Sequence, residues 1–241
     1  MKTIKLFSLL SMTIMLMFSC TNEIVDEDNS SSSSNNLKTG QVEMKGYPNS
    51  SGVISFQASA KKITINWGDG KTDEITPNGA LTPISHQYPN SNFQTILVNA
   101  EDLTRIRGFT NGEAHELRFG DCPNLRLIDF SSNKLTVLDI KKANTLIGLT
   151  CWFNQLTELN LNGCKALRTL DCGANQLTAE KLNKLFDSLP SILVSLPSDD
   201  DGIIDINGQG TEGEYDCNKS IATNKGWRFG RVYFSEWWNY L

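Results

Sequence analysis

The sequence predicts a β-rich α+β chain: a small β-domain, then a short solenoid of about three repeats, then an α/β C-terminal cap. Three observations carry that expectation. Residues 40–102 hold short runs of alternating apolar and polar residues. Residues 103–177 repeat themselves every 21 positions. Helical spacing of apolar residues enters only in 178–241.

The first segments stand outside the fold. Lys2 and Lys5 make a short basic region, and Leu6 to Phe18 is apolar except for Ser8, Ser11 and Thr13. This run falls short of the ~20 apolar residues of a spanning helix, so residues 1–19 read as an export signal. Ser19-Cys20 resembles the lipobox of bacterial lipoproteins, in which a small residue precedes a cysteine that is diacylated and becomes the mature N-terminus. Met17 and Phe18 depart from the usual pair before it. The resemblance implies lipidation at Cys20, with two acyl chains sufficing for stable anchoring. An ordinary signal with a chance cysteine is the alternative. Residues 20–39 carry Glu23, Asp26, Glu27, Asp28 and the serine run Ser30 to Ser34. They bury too little apolar surface to order themselves and read as a tether. Acidic residues just after a lipidated cysteine also resemble the signal that sends some Gram-negative lipoproteins to the outer face, and a merely polar linker is the other reading. The expected location is the outer membrane, lipid-anchored and surface-exposed, with the periplasmic face as the alternative.

In residues 40–102, Val53 to Ala58 and Ile63 to Trp67 alternate, Gly68-Asp69-Gly70 supplies a tight turn, and Phe93 to Val98 is a third strand candidate. The set Trp67-Gly68-Asp69-Gly70 with His86-Gln87-Tyr88 resembles the PKD-type β-sandwich. That implies a core Trp67, an Asp69 that accepts from its own turn, a buried, hydrogen-bonded His86, and a spacer or binding role.

The repeat runs through several rows. Leu125, Leu146 and Leu167 share one spacing, as do Ile128, Leu149 and Leu170, then Phe130, Cys151 and Cys172, then Asn133, Asn154 and Asn175. The grammar L-x-x-L-x-L-x-x-N/C-x-L is that of the leucine-rich repeat. One such turn cannot bury its own apolar side, so stacking is required. The asparagine amides are expected to bond backbone groups at the bend after each strand. A second half-unit, Leu156-x-x-Leu159-x-Leu161-x-x-Cys164, reads as a further short strand. The cysteines of these rows are expected as free core thiols rather than bridges, since stacked parallel side chains give poor disulfide dihedrals.

After Leu177 the grammar breaks. Thr178 caps a helix through Leu189, stopped by Pro190. A strand from Gly202, a short helix ended by Gly226 and a last strand from Trp227 follow. The run Leu177-Thr178-Ala179-Glu180, the strand Ile204-Asp205-Ile206 and the stretch Ser220 to Trp227 resemble the cap of bacterial surface leucine-rich-repeat lipoproteins. That family resemblance, with the PKD-like domain before it, implies a surface or secreted binding protein.

Chemistry is sparse. The net charge is -5 with no basic block, which argues against nucleic acid as partner. G-x-S-x-G, H-E-x-x-H and a phosphate loop are all missing, and only two histidines are present. No enzyme activity, cofactor or metal site is expected; Asp199-Asp200-Asp201 and Asp205-x-Asn207 miss calcium-loop spacing and read as a solvated loop. The strand positions expected to face outward are Leu127, Asp129 and Ser131; Gly148, Thr150 and Trp152; Thr169, Asp171 and Gly173. Trp152 and Phe153, among Thr150, Asp129, Thr169 and Asp171, form the expected ligand face, because exposed aromatics among small polar neighbours make binding hot spots. Packing of Trp152 against the β-domain, or its place on a surface that binds nothing, is the competing reading. The expected function is a non-catalytic surface adhesion or binding lipoprotein, monomeric, with a protein or glycan ligand; a structural role in an envelope complex is the alternative.

Overall fold

Alternating side chains give the first strands one buried face each. In β1 (Gln41–Gly46) Val42 and Met44 are buried, and in β3 (Lys62–Asn66) Ile63 and Ile65 are. A computed structural model of the chain describes residues 37–77, 79–109, 113–192, 202–207 and 213–232. The export signal, Cys20, Asp199 to Asp201 and the tail tryptophans Trp237 and Trp238 lie outside the described residues. The remaining strands are β2 (Val53–Ser59), β4 (Thr72–Ile75), β5 (Thr82–Gln87), β6 (Gln94–Glu101), β7 (Arg105–Arg107), β8 (Ala114–Phe119), β9 (Leu127–Asp129), β10 (Val137–Asp139), β11 (Gly148–Thr150), β12 (Thr169–Asp171), β13 (Ile203–Asp205) and β14 (Arg228–Phe229). The two helices among the described residues are α1 (Ala179–Ser188) and α2 (Ser220–Thr223).

The strands form two mixed sheets. The six-stranded sheet runs β10-β8-β1-β6-β3-β4, and the eight-stranded sheet runs β14-β13-β12-β11-β9-β7-β2-β5. In the second sheet β5, β2 and β7 pair antiparallel, and from β7 to β14 every pair is parallel. The inner row of that parallel stretch is Ile106, Ile128, Leu149, Leu170, Ile204 and Phe229, in register from strand to strand. Met44, Ile96 and Leu117 of the first sheet belong to the same buried cluster as Ile128, Leu149 and Leu170 of the second.

This corrects the expected fold class. The chain is a helix-poor, mostly β structure of two mixed sheets, and not a sandwich followed by a solenoid with an α/β cap. Strand β1 lies between β6 and β8, and β2 lies between β5 and β7, so each sheet runs through both halves of the chain. The physical reason is edge satisfaction: a freestanding repeat segment would leave the backbones of β7 and β8 open, and the N-terminal strands close them. The expected cap does not stand apart either, since β13 and β14 continue the eight-stranded sheet in register. Of the expected second-half strands, those at Leu117 (β8) and Leu138 (β10) form and pair with each other; Leu159 to Leu161 is buried at both leucines but is not a strand.

Between the two sheets the chain must bend, and two rows do this. Ser132, Phe153 and Ala174 hold positive φ of 55°, 54° and 49°. The buried asparagines that follow them satisfy the backbone. Asn154 accepts from Leu135 N–H at 2.9 Å and donates to Phe130 O at 2.8 Å and Cys151 O at 2.9 Å. Asn133 and Asn175 repeat the pattern, accepting from Ala114 and Leu156.

In the N-terminal half, Trp67 is fully buried, its indole stacks on His86 at 4.7 Å, and His86 Nε2 meets Asp69 Oδ2 at 2.9 Å. Asp69 also accepts from Lys71 N–H across its turn, and the His86 contact first of all holds its carboxyl below the usual range. Cys122, Cys151, Cys164 and Cys172 are free and buried, and burial raises all four thiols, to about 11 at Cys122 and about 12 at Cys164.

Candidate functional site

The parallel stretch of the eight-stranded sheet presents a second row of side chains on the face away from the core. In register these are Arg107, Asp129, Thr150, Asp171 and Asp205. Three carboxylates of the row tie down the turn after their own strand. Asp129 accepts from Ser131 N–H at 3.0 Å, Asp171 from Gly173 N–H at 3.3 Å, and Asp205 from Asn207 N–H at 2.9 Å. Thr150 takes the place of a carboxylate between Asp129 and Asp171, and its hydroxyl meets Ser131 Oγ at 2.7 Å.

The electrostatics are uneven along the row. Arg107 Nε reaches Asp129 Oδ2 at 3.2 Å. Asp171 sits between Thr150 and Asp205, and its carboxyl is pushed up to about 7, mainly by burial and next by the charge of Asp205. Burial thus favours the protonated form of Asp171, whose hydroxyl can donate a hydrogen bond. No group of three His, Cys, Asp or Glu side chains among the described residues could hold a metal ion.

Trp152 and Phe153 follow β11 directly. Trp152 is 39% exposed and Phe153 55%, with ring centroids 5.2 Å apart and tilted by 31°. Trp152 lies across Gly173: a Cβ there would stand 3.2 Å from Trp152 Cδ1 and 2.0 Å from Asn207 O. Only glycine lets the Asn207 backbone and the indole approach this closely. The aromatic pair thus adjoins the turn that Asp171 holds.

Trp152, Phe153, Asp129 and Asp171 come together at one end of the sheet, with the aromatics open to solvent. Thr150 and Thr169, expected on an open surface, are buried at 5% and 2% exposure, and Leu127 is fully buried. Each stands in an inner strand with neighbours on both sides, which covers a small side chain. Asp205 and Asn207 belong to the site although their spacing suggested only a solvated loop; the 21-residue period stops before them, so alignment to Asp171 is invisible in the sequence.

A second aromatic cluster escaped the sequence reading. Tyr47, Phe93 and His115 meet edge to face at the end of the six-stranded sheet, with centroids 4.9 to 5.8 Å apart. Extending the outward alternation Glu43, Lys45 by one step would have reached Tyr47. Compared with protein-family models, with curated proteins and with solved structures, the chain finds no match in any of the three.

Proposed function

We propose that the chain is a non-catalytic binding protein, anchored by lipid at Cys20 on the outer face of an outer membrane, and that Trp152 and Phe153 contact its protein or glycan ligand. The observation that carries the reading is the exposed aromatic pair itself. Large rings open to water beside fixed hydrogen-bonding groups are the usual anchors of reversible binding. The left-handed bend that Phe153 shares with Ser132 and Ala174 holds its ring beside Trp152. The anchoring part rests on the Ser19-Cys20 sequence and its resemblance to surface lipoproteins. Among the described residues no helix is long and apolar enough to cross a membrane.

Two experiments test the proposal. The full chain, applied to an array of glycans and purified secreted proteins, should retain a ligand that Trp152→Ala weakens by roughly 2 kcal/mol while costing no more stability than its ring contact with Phe153, about 0.5–1.5 kcal/mol. A ligand retained equally by the Trp152→Ala variant sinks the site assignment. Cys20→Ser should release the protein from the membrane fraction and end palmitate labelling; unchanged retention and labelling sink the anchor.

A further inference from the structure

We propose that the outward face of the six-stranded sheet carries a second binding site, for a neutral oligosaccharide, in which Tyr47 and Phe93 take the apolar faces of sugar rings and a fixed net of charged side chains bonds the hydroxyls. The site is separate from Trp152 and does not depend on that reading.

The rings are held in place by the sheet. Tyr47 follows β1 and Phe93 precedes β6, and these strands are neighbours. Pairing of β1 with β8 shifts from Lys45 opposite Glu116 to Gly46 opposite Ala114, which leaves His115 as the extra residue of a β-bulge. A bulge of this kind re-aims one side chain. Here it places the imidazole edge-on to Tyr47 at 5.4 Å and to Phe93 at 5.8 Å. Tyr47 and Phe93 still remain 41% and 42% exposed. Beneath them His115 Nε2 is buried with no hydrogen-bond partner among the described residues. Such an orphan is unfavourable, and a ligand hydroxyl meets it once the exposed Tyr47 and Phe93 rings part.

Next to the rings, Glu43 and Lys45 on β1 face Glu116 and Arg118 on β8. Lys45 Nζ lies 3.0 Å from Glu116 and 3.5 Å from Glu43, and Arg118 bridges Glu43 at 3.5 Å and also pairs with Glu116. Four side chains that hold one another present donors and acceptors at fixed positions, which lowers the ordering cost of binding.

Charge and size select the ligand. Glu43, Glu113, Glu116 and Asp139, which stands opposite Arg118, leave one negative charge over Lys45, Arg118 and Lys134, and Lys134 pairs with Glu113 at 2.9 Å. So small a net charge attracts neither a polyanion nor a polycation strongly. Aromatic side chains bury about 150–250 Å² each in full, so two partly exposed rings fall well below the ~800 Å² per side of a standard protein interface. They match a few sugar rings, whose C–H faces are apolar and whose edges carry hydroxyls.

The test is affinity electrophoresis of the full chain, in a polyoxyethylene detergent, through native gels cast with amylose, xylan, β-1,3-glucan or mannan, and with heparin as the polyanion. At least one neutral polysaccharide should retard the chain. Tyr47→Leu and Phe93→Leu, which keep apolar bulk without the ring, should each weaken that retardation at least tenfold at unchanged melting temperature, and Trp152→Ala should leave it intact. The proposal is overturned if none of the four neutral polysaccharides retards the chain, or if only heparin does. It is equally overturned if Trp152→Ala abolishes the retardation while Tyr47→Leu does not, a result that would instead support the Trp152 site as the glycan contact.

Discussion

Phe153 and Asp171 both sit in states that folding alone does not favour. The left-handed backbone at Phe153 suits glycine, and the same bend holds Ser132 and Ala174 one repeat to either side. Phe153→Gly therefore removes strain while giving up a ring contact with Trp152 worth about 0.5–1.5 kcal/mol. The two nearly offset, so the expected melting temperature is at or near that of the wild type while ligand affinity falls. A large loss of stability would show that the ring is a packing element. Asp171 makes a pH-dependent contribution. Its carboxyl, ordinarily near 3.8, is raised to about 7 in the fold, mainly by burial. The folded state thus prefers the protonated form. The resulting stability is fully present below about 4 and is lost as pH rises through about 7. Asp171→Asn mimics the neutral form and keeps an oxygen for Gly173 N–H, so its gain in melting temperature over the wild type should be larger at pH 8 than at pH 5. An equal difference at both pH values would show that Asp171 ionises freely.

At the level of the element, the parallel strands are held by two kinds of row, one apolar and one polar. Leu149 and Leu170 are fully buried in register, so Leu149→Ala should cost about 2–5 kcal/mol in urea unfolding. Asn154→Ala leaves the buried Leu135 N–H without its acceptor and removes one of two amide donors from Phe130 O and Cys151 O, which keep Asn133 and Asn175. With ~1–3 kcal/mol for the N–H left unpaired, it should cost at least about 1 kcal/mol even though no large apolar surface is lost. A cost like that of an exposed substitution, under about 0.5 kcal/mol, would mean water replaces the amide. These rows were legible because a period of 21 residues places like residues in the same environment: the spacing of Ile128, Leu149 and Leu170 is also their strand register. The outward row was only half legible. Asp129, Thr150 and Asp171 share the period, but Asp205 lies beyond it and joins by backbone pairing alone. The bend after β11 was legible from the asparagine row, but the left-handed backbone at Phe153 and the bulge at His115 were not, since no side-chain pattern encodes them.

At the scale of the whole molecule, what the sequence hid is the pairing between distant strands. The turn at Gly68 and the alternation in β2 and β3 mark local strands, but nothing in them says that β1 will insert between β6 and β8, or that β2 will join β7. Those two insertions make the described residues one compact unit with one buried cluster, rather than two modules on a linker. A distinct unfolding behaviour follows. Trp67 is buried in the N-terminal half and Trp227 in the C-terminal half, and each reports on its own surroundings. In Trp67→Phe and Trp227→Phe variants, the remaining buried tryptophan should follow a single urea transition that coincides with circular dichroism, the signature of two-state unfolding. Leu149→Ala should lower the midpoint seen from Trp67 as much as the one seen from Trp227, although residue 149 lies in the repeat segment. Deletion of residues 40–102 should leave no soluble folded remainder, because it bares the backbone edges of β7 and β8 and opens the shared core. A deletion product that is monomeric and unfolds cooperatively would show that the repeat segment carries its own core, and two separate transitions in the intact chain would show the same from the other side.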